Sequence, residues 1–288
     1  MAFLLKLLSY LPLPVLHGLG IPLGWLVYLA PGRHGPRMRA NLQQSGLCSG
    51  APCQPLLRHA IAESGEGMLE LAPFWMRPHN RTIRLVRTVT GQESLDRALA
   101  DGKGVVLMAP HIGGFEIINQ YLASRMPLTS MYRPARHPVI DKIMKQGRER
   151  GRAHLVPTDM TGIKALLKAL KSGEAIGILP DQVATKGDGV WAPFFHRWAY
   201  TPTLVFRLAQ SSGAALFMTY AERLSWGRGY HIHFVPVAPF PGNKQEAAAR
   251  LNSDVEAIVR KLPAQYLWTY QRHKKPGDAP PPPGTPCP

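Results

Sequence analysis

"GVVLMAPHIGGFEIINQYLASRMPLTSMYRP", Gly104 to Pro134, decides the fold. Its first segment is a continuous apolar run, the pattern of a strand buried on both faces. Pro110, Gly113 and Gly114 then break the chain. "FEIINQYLASRM" reads as a helix, and "LTSMYRP" as a second short strand. The alternation continues downstream: "PVIDKIMKQGRERG" helical, "AHLVPT" a strand, "TGIKALLKALKSG" helical and "EAIGILPDQ" a strand. Strands that take turns with helices of this length predict an α/β fold with a mostly parallel central sheet flanked by helices.

Upstream, "TIRLVRTVTG" alternates as a strand does, and "ESLDRALADG" reads as a short helix stopped by Gly102. Residues 41–78 look helical and amphipathic, ending at Pro73 and Pro78. Downstream, residues 184–200 read as a loop and "TPTLVFRLAQSSG" as a helix. "AALFMTYAERL" and "YHIHFVPVA" read as strands joined by a Gly-rich turn, and a last helix runs from Lys244 to Leu262. The ending "DAPPPPGTPCP" is proline-rich and predicts disorder over 276–288.

Leu7 to Ala30 holds 24 residues without Asp, Glu, Lys or Arg, long enough for a bilayer core of about 30 Å if helical. Pro12, Pro14 and Pro22 make a straight span less regular, and a kinked helix or a hairpin partly in one leaflet is equally compatible. No small-residue cleavage site follows the run, and Arg33, Arg37 and Arg39 come directly after it. The expectation is an uncleaved membrane anchor over 1–32, with an α/β domain over 33–275 on the cytoplasmic side.

The 288 residues carry 34 Lys and Arg against 18 Asp and Glu, a formal net charge of +16. That excess points to anionic partners such as membranes or phosphorylated ligands. Neither a nucleic-acid motif nor interleaved basic and aromatic residues occur, so nucleic acid is not expected. Cys48, Cys53 and Cys287 have no ligand spacing and give neither a zinc site nor a disulfide framework.

His111 stands at the carboxyl end of a predicted strand, where open α/β sheets bind ligands. Glu116 lies five residues on, and positions five apart on a helix diverge by roughly 140°. The two converge only if His111 is still in the turn. A carboxylate on one imidazole nitrogen would then fix the tautomer, while the other nitrogen accepts a proton from a hydroxyl. His-x4-Glu alone leaves three readings open: a structural histidine, a general base or a metal ligand. No second ligand supports the metal, and the absence of Gly-x-Ser-x-Gly removes a serine acyl-enzyme of that type.

Five blocks in order resemble the late acyltransferases of lipid A biosynthesis, the lauroyl/myristoyl transferases, within the glycerolipid acyltransferase superfamily. They are "APHIGGFE", "YRPARHPVIDKIMKQGRERG", "LKSGEAIGILPDQ", "GVWAPFFHRWAYT" and "IVRKLPAQYLWTYQRHKK". The hydrophobic start and "RANL" fit as well, so the likeness covers roughly residues 5–275. Gly114 and Phe115 depart from the usual Asn and Trp, His196 from Gly, and Tyr270 from His.

The resemblance implies fatty acyl transfer from an acyl carrier protein thioester to a hydroxyl of a Kdo-bearing lipid A precursor. It places the enzyme at the bacterial inner membrane and requires neither cofactor nor metal. His111 would be the base and Glu116 its orienter, with Tyr132, Arg133, Arg148, Asp181 and Gln182 at the anionic glycolipid. Residues 133–171 hold ten Lys and Arg against Asp141, Glu149 and Asp159, which suits a phosphorylated acceptor. The same chemistry on another glycolipid or aminolipid, and a basic membrane-attached binding protein, are the alternatives.

Overall fold

The computed structural model describes residues 2–48, 52–184, 187–277 and 279–284. The N-terminal third is helical: α1 (Ala2–Tyr10), α2 (Leu13–Leu29), α3 (His34–Gln44), α4 (Gln54–Met76) and α5 (His79–Ile83). The alternating part follows, with β1 (Val86–Thr90), α6 (Gln92–Ala100), β2 (Val105–Met108), α7 (Phe115–Arg125) and β3 (Leu128–Tyr132). It continues through α8 (Pro138–Arg148), β4 (Ala153–Pro157), α9 (Met160–Lys171) and β5 (Ala175–Ile178). The last part contains β6 (Gly189–Phe194), β7 (Arg197–Pro202), α10 (Leu204–Ser212), β8 (Ala215–Leu224), β9 (Gly229–Val237) and α11 (Lys244–Lys261).

Seven strands form one sheet in the order β1-β9-β8-β2-β5-β3-β4, and only β8 and β9 pair antiparallel within it. All four β2 residues are buried, because helices cover both faces. Val106 and Met108 face a core shared with α9, α10 and α11, whereas Val105 and Leu107 face one shared with α6, α7 and α8. Each such fully buried aliphatic side chain contributes about 1.5–3 kcal/mol, so β2 fixes the middle of the sheet. The predicted α/β class and parallel sheet are therefore present.

Residues 184–200 are not simply a loop. β6 and β7 form an antiparallel hairpin, and Phe195 (φ 44°) and His196 (φ 60°) make its two-residue turn. Both turn positions need positive φ, which gives a physical reason for the departure at His196 to be unusual. The proline-rich ending is partly docked rather than loose. Trp191 donates its indole N–H to the Pro280 carbonyl at 2.9 Å, and Ala279 is buried. Residues 278 and 285–288, Cys287 included, lie outside the described residues. Cys48 and Cys53 are joined in a disulfide, with Cα atoms 5.2 Å apart, contrary to the reading of unpaired cysteines.

The N-terminal anchor also needs correction. Among the described residues no single helix is long and apolar enough to cross a membrane; α2 and α3 pass that test only together, across a 94° bend. The uncharged run divides at Pro12, and α2 packs along α4 instead of leaving the domain. Their backbones touch at glycines: a Cβ on Gly24 would stand 2.1 Å from the Ile61 carbonyl oxygen. The outer faces of α1 and α2 remain apolar and exposed, with Phe3, Leu7, Tyr10, Leu19, Leu26 and Leu29.

Candidate active site

His111 sits three residues past β2, in a turn tied down on several sides. The Gly113 N–H donates to Gln265 O (3.0 Å), Gly114 N–H to Ala221 O (2.9 Å) and Leu267 N–H to His111 O (3.1 Å). Gly113 has φ +56°, and a Cβ there would lie 2.0 Å from Ala221 O, so the turn requires glycine. The N–H groups of Gly113 and Gly114 are thus committed to neighbouring backbone.

Asp181, beyond the end of β5, is next to His111 because β5 pairs with β2. Its carboxylate accepts from the His111 backbone N–H (2.9 Å) and from Nδ1–H (2.8 Å). Burial pushes the Asp181 carboxyl up, but the His111 charge and these hydrogen bonds outweigh it and hold it below its ordinary value. The proton on Nδ1 leaves a lone pair on Nε2, which accepts from the Gln182 side-chain amide at 3.1 Å. His111, Asp181 and Gln182 therefore form one constellation, in which the imidazole is oriented and its outer nitrogen carries the lone pair.

Glu116, expected on His111, makes no hydrogen bond to it among the described residues. As the second residue of α7 it turns toward α8 and α4. It accepts from Arg148 Nε (2.9 Å) and Nη2 and from the Trp75 indole (3.2 Å). Burial raises its carboxyl, yet the charge and hydrogen bonds of Arg148 prevail and lower it. Arg148 in turn keeps its charge because Glu116 offsets its burial. Its fork is spent on Glu116, although the resemblance gave it to the acceptor.

Tyr132 is buried and donates to Asp141, which also accepts from Ala135 N–H at 2.6 Å. Burial and then that hydrogen bond raise its phenol to about 12. It shapes the loop after β3, and Arg133 is exposed on that loop.

A cavity of about 220 Å³ opens beside His111. Met68, Leu71, Phe74, Phe115, Leu267 and Trp268 give it apolar walls. Arg223, Glu63 and Glu70 also reach it. Arg223 is buried and forked onto Glu70 (2.6 and 2.8 Å), also bonds Glu63, and donates to Gly113 O at 3.4 Å. His17 on α2 meets Glu70 at 2.7 Å. Gln265 accepts from Arg223 N–H and donates to Arg223 O, both at 2.9 Å. These residues escaped the sequence reading. The 63-66-70 spacing of Glu puts three carboxylates on one face of α4, but their cation lies more than 150 residues away.

Away from the cavity, Glu222, His231 and His233 have ligand atoms within 4.8 Å of one another, close enough to hold a metal ion. No other such group occurs among the described residues.

Residues 1–275 match the family described as bacterial lipid A biosynthesis acyltransferase. The chain is 29% identical to the lipid A biosynthesis lauroyltransferase of Escherichia coli K12, covering 94% of this chain and 89% of that one. It is 27% identical to the palmitoleoyltransferase of the same organism, over 92% and 86%. A phosphatidylinositol mannoside acyltransferase of Mycobacterium tuberculosis is 25% identical over 84% and 75%.

Proposed function

This chain belongs to the bacterial lipid A biosynthesis acyltransferase family and is an O-acyltransferase, and on that footing we propose its substrates and chemistry. The donor is a fatty acyl thioester on acyl carrier protein, and the acceptor is a hydroxyl of a Kdo-bearing lipid A precursor. The observation that carries the reading is the imidazole of His111, held at Nδ1 by buried Asp181, with Nε2 on the Gln182 amide and the residue itself in the lining of an apolar cavity.

In the reaction the acceptor hydroxyl displaces the Gln182 amide from Nε2 and gives its proton to that nitrogen. Its oxygen attacks the thioester carbonyl, the C–O bond forms and the C–S bond breaks. The imidazolium then returns the proton to the departing thiolate, so no covalent enzyme intermediate arises. Asp181 stabilises the imidazolium throughout. Charge on the carbonyl oxygen is met by the N-terminus of α7, which has no side-chain cap and whose Phe115 and Glu116 line the cavity. Leu71, Phe74 and Trp268 accommodate the start of the alkyl chain. Glu116 positions Arg148 and, through it, the loop that carries Arg133, whose guanidinium meets acceptor phosphate or carboxylate.

We place the enzyme on the cytoplasmic side of the bacterial inner membrane. The support is the exposed apolar outer face of α1 and α2, which suits seating in one leaflet rather than crossing. His111→Ala should abolish acyl transfer from acyl carrier protein in a mass-spectrometric assay while thermal melting stays near wild type. Transfer at near wild-type rate would overturn the base assignment. The mycobacterial relative favours a second reading, the same chemistry on another glycolipid. Lipid A mass spectra with and without the gene decide it: loss of an acyl group supports the lipid A acceptor, and an unchanged profile favours the other.

A further inference from the structure

Between β8 and β9 the chain turns through Ser225–Gly227, and Trp226 at its tip is 84% exposed. Its φ of +62° is a conformation in which bulky residues are rarely found. The tip is not a free projection. A Cβ on Gly227 would stand 2.3 Å from the Pro14 nitrogen, so the turn is pressed against the start of α2. There it lies against Leu13 and Pro14, with the exposed apolar residue Val15 next in the chain. Around it stand cations: Arg228 holds Ser225 O at 3.0 Å, and Arg87 donates to Arg228 O at 2.9 Å. Arg84, Arg87 and Arg228 are exposed. Arg223, three residues before the Trp, lines the cavity beside His111.

An exposed indole rimmed by arginines on a rigid turn matches the chemistry of a bilayer interface, where Trp sits at headgroup depth and cations meet anionic lipid. We propose that the β8–β9 tip is a second membrane contact, with Trp226 in the interface of an anionic bilayer and Arg84, Arg87 and Arg228 on its headgroups. Because β8 runs parallel to β2, this contact turns the edge of the sheet that carries His111 toward the lipid surface. It rests on the membrane seating of α1 and α2 proposed above and adds an orientation to it: two separate parts of the chain fix which edge meets the membrane.

The test uses full-length protein, with sedimentation on vesicles of phosphatidylethanolamine and phosphatidylglycerol and on vesicles of phosphatidylcholine alone. Trp226→Asn, whose side chain tolerates positive φ, should lower partitioning roughly tenfold on both, the worth of one partly buried large apolar side chain. Trp226→Phe should recover most of that loss. Arg84→Gln with Arg228→Gln should weaken binding several-fold on the anionic vesicles alone and only at low salt. Acyl transfer to acceptor in detergent should be unchanged in all of them. If wild type binds vesicles and Trp226→Asn binds equally well, the tip contact is refuted and the α1–α2 seating stands. If wild type does not bind, the seating itself falls. Equal losses on both vesicle types for the arginine pair would refute the headgroup contacts.

Discussion

Asp181→Asn tests which carboxylate serves the histidine. Asp181 accepts two hydrogen bonds from His111, one from its backbone N–H and one from Nδ1–H. An Asn amide has a single acceptor oxygen, and its NH2 group facing Nδ1 would fix the proton on Nε2 instead. The nitrogen toward the cavity would then have no lone pair for the acceptor hydroxyl, and the imidazolium would lose its buried counter-charge. General-base catalysis together with correct tautomer control is worth about 10³–10⁴-fold, or about 4–5.5 kcal/mol of barrier. kcat should fall by that factor with KM little changed, as read in single-turnover acyl transfer at saturating donor. Glu116→Gln should behave differently. It leaves Arg148 buried with a weakened partner, so the loss appears mainly in stability, about 3 kcal/mol by chemical denaturation, with roughly a tenfold loss in rate. Asp181→Asn within tenfold of wild type, alongside a dead but stable Glu116→Gln, would refute this assignment. It would place Glu116 on the imidazole in the working complex.

Glu66, whose carboxyl burial and the Glu63 charge push up to about 7, should make stability decline with pH. Between its ordinary 4.5 and about 7 the folded state keeps a proton that the unfolded chain has released. Glu66→Gln should therefore gain about 1–2 kcal/mol over wild type at alkaline pH after solvent screening, and little at acid pH. Denaturation curves across pH check this, and a constant difference would contradict it. Gly24→Ala should cost about 2–3 kcal/mol, because its Cβ would meet the Ile61 carbonyl at 2.1 Å. An unchanged melting temperature would mean that α2 is not packed on α4 as described. Gln265→Leu should strand both the N–H and C=O of Arg223, lowering stability by about 2 kcal/mol and kcat more than KM. An unaltered rate would show that the His111 turn holds its shape without it.

What could be read from sequence followed from local physics. β2 and β5 were legible because a strand covered on both faces has an unbroken apolar run, and His111 and Asp181 each fell at a strand end. That they belong together was not legible, since it depends on β2 and β5 being neighbours in the sheet. Glu116 lay nearer in sequence and took the role that Asp181 fills in space. The β6–β7 hairpin escaped because Phe195-His196 carries none of the Asn-Gly character that announces a tight turn. Leu7 to Ala30 was read as a membrane anchor, although its prolines already argued against a straight span, because composition does not register the partner α4. His17 was hidden for the same reason: its acceptor Glu70 is 53 residues away.

The buried network around Arg223 links these pieces. Glu63 and Glu70 belong to α4, His17 to α2, and Arg223 to β8, just before the Trp226 tip; Arg223 also touches Gly113 O in the His111 turn. A buried ion cluster of this kind adds little net stability, since desolvation offsets its attraction, but removing one member is costly. Its effect is to fix geometry. It locks the helix that bears the exposed apolar face to the strand that bears the tip and to the turn that bears His111. With the proposed membrane seating, an amphipathic acceptor with its chains in the bilayer would need to rise only as far as the sheet edge. His111, the apolar cavity and the two surfaces proposed to face lipid would then reach that edge as one rigid unit.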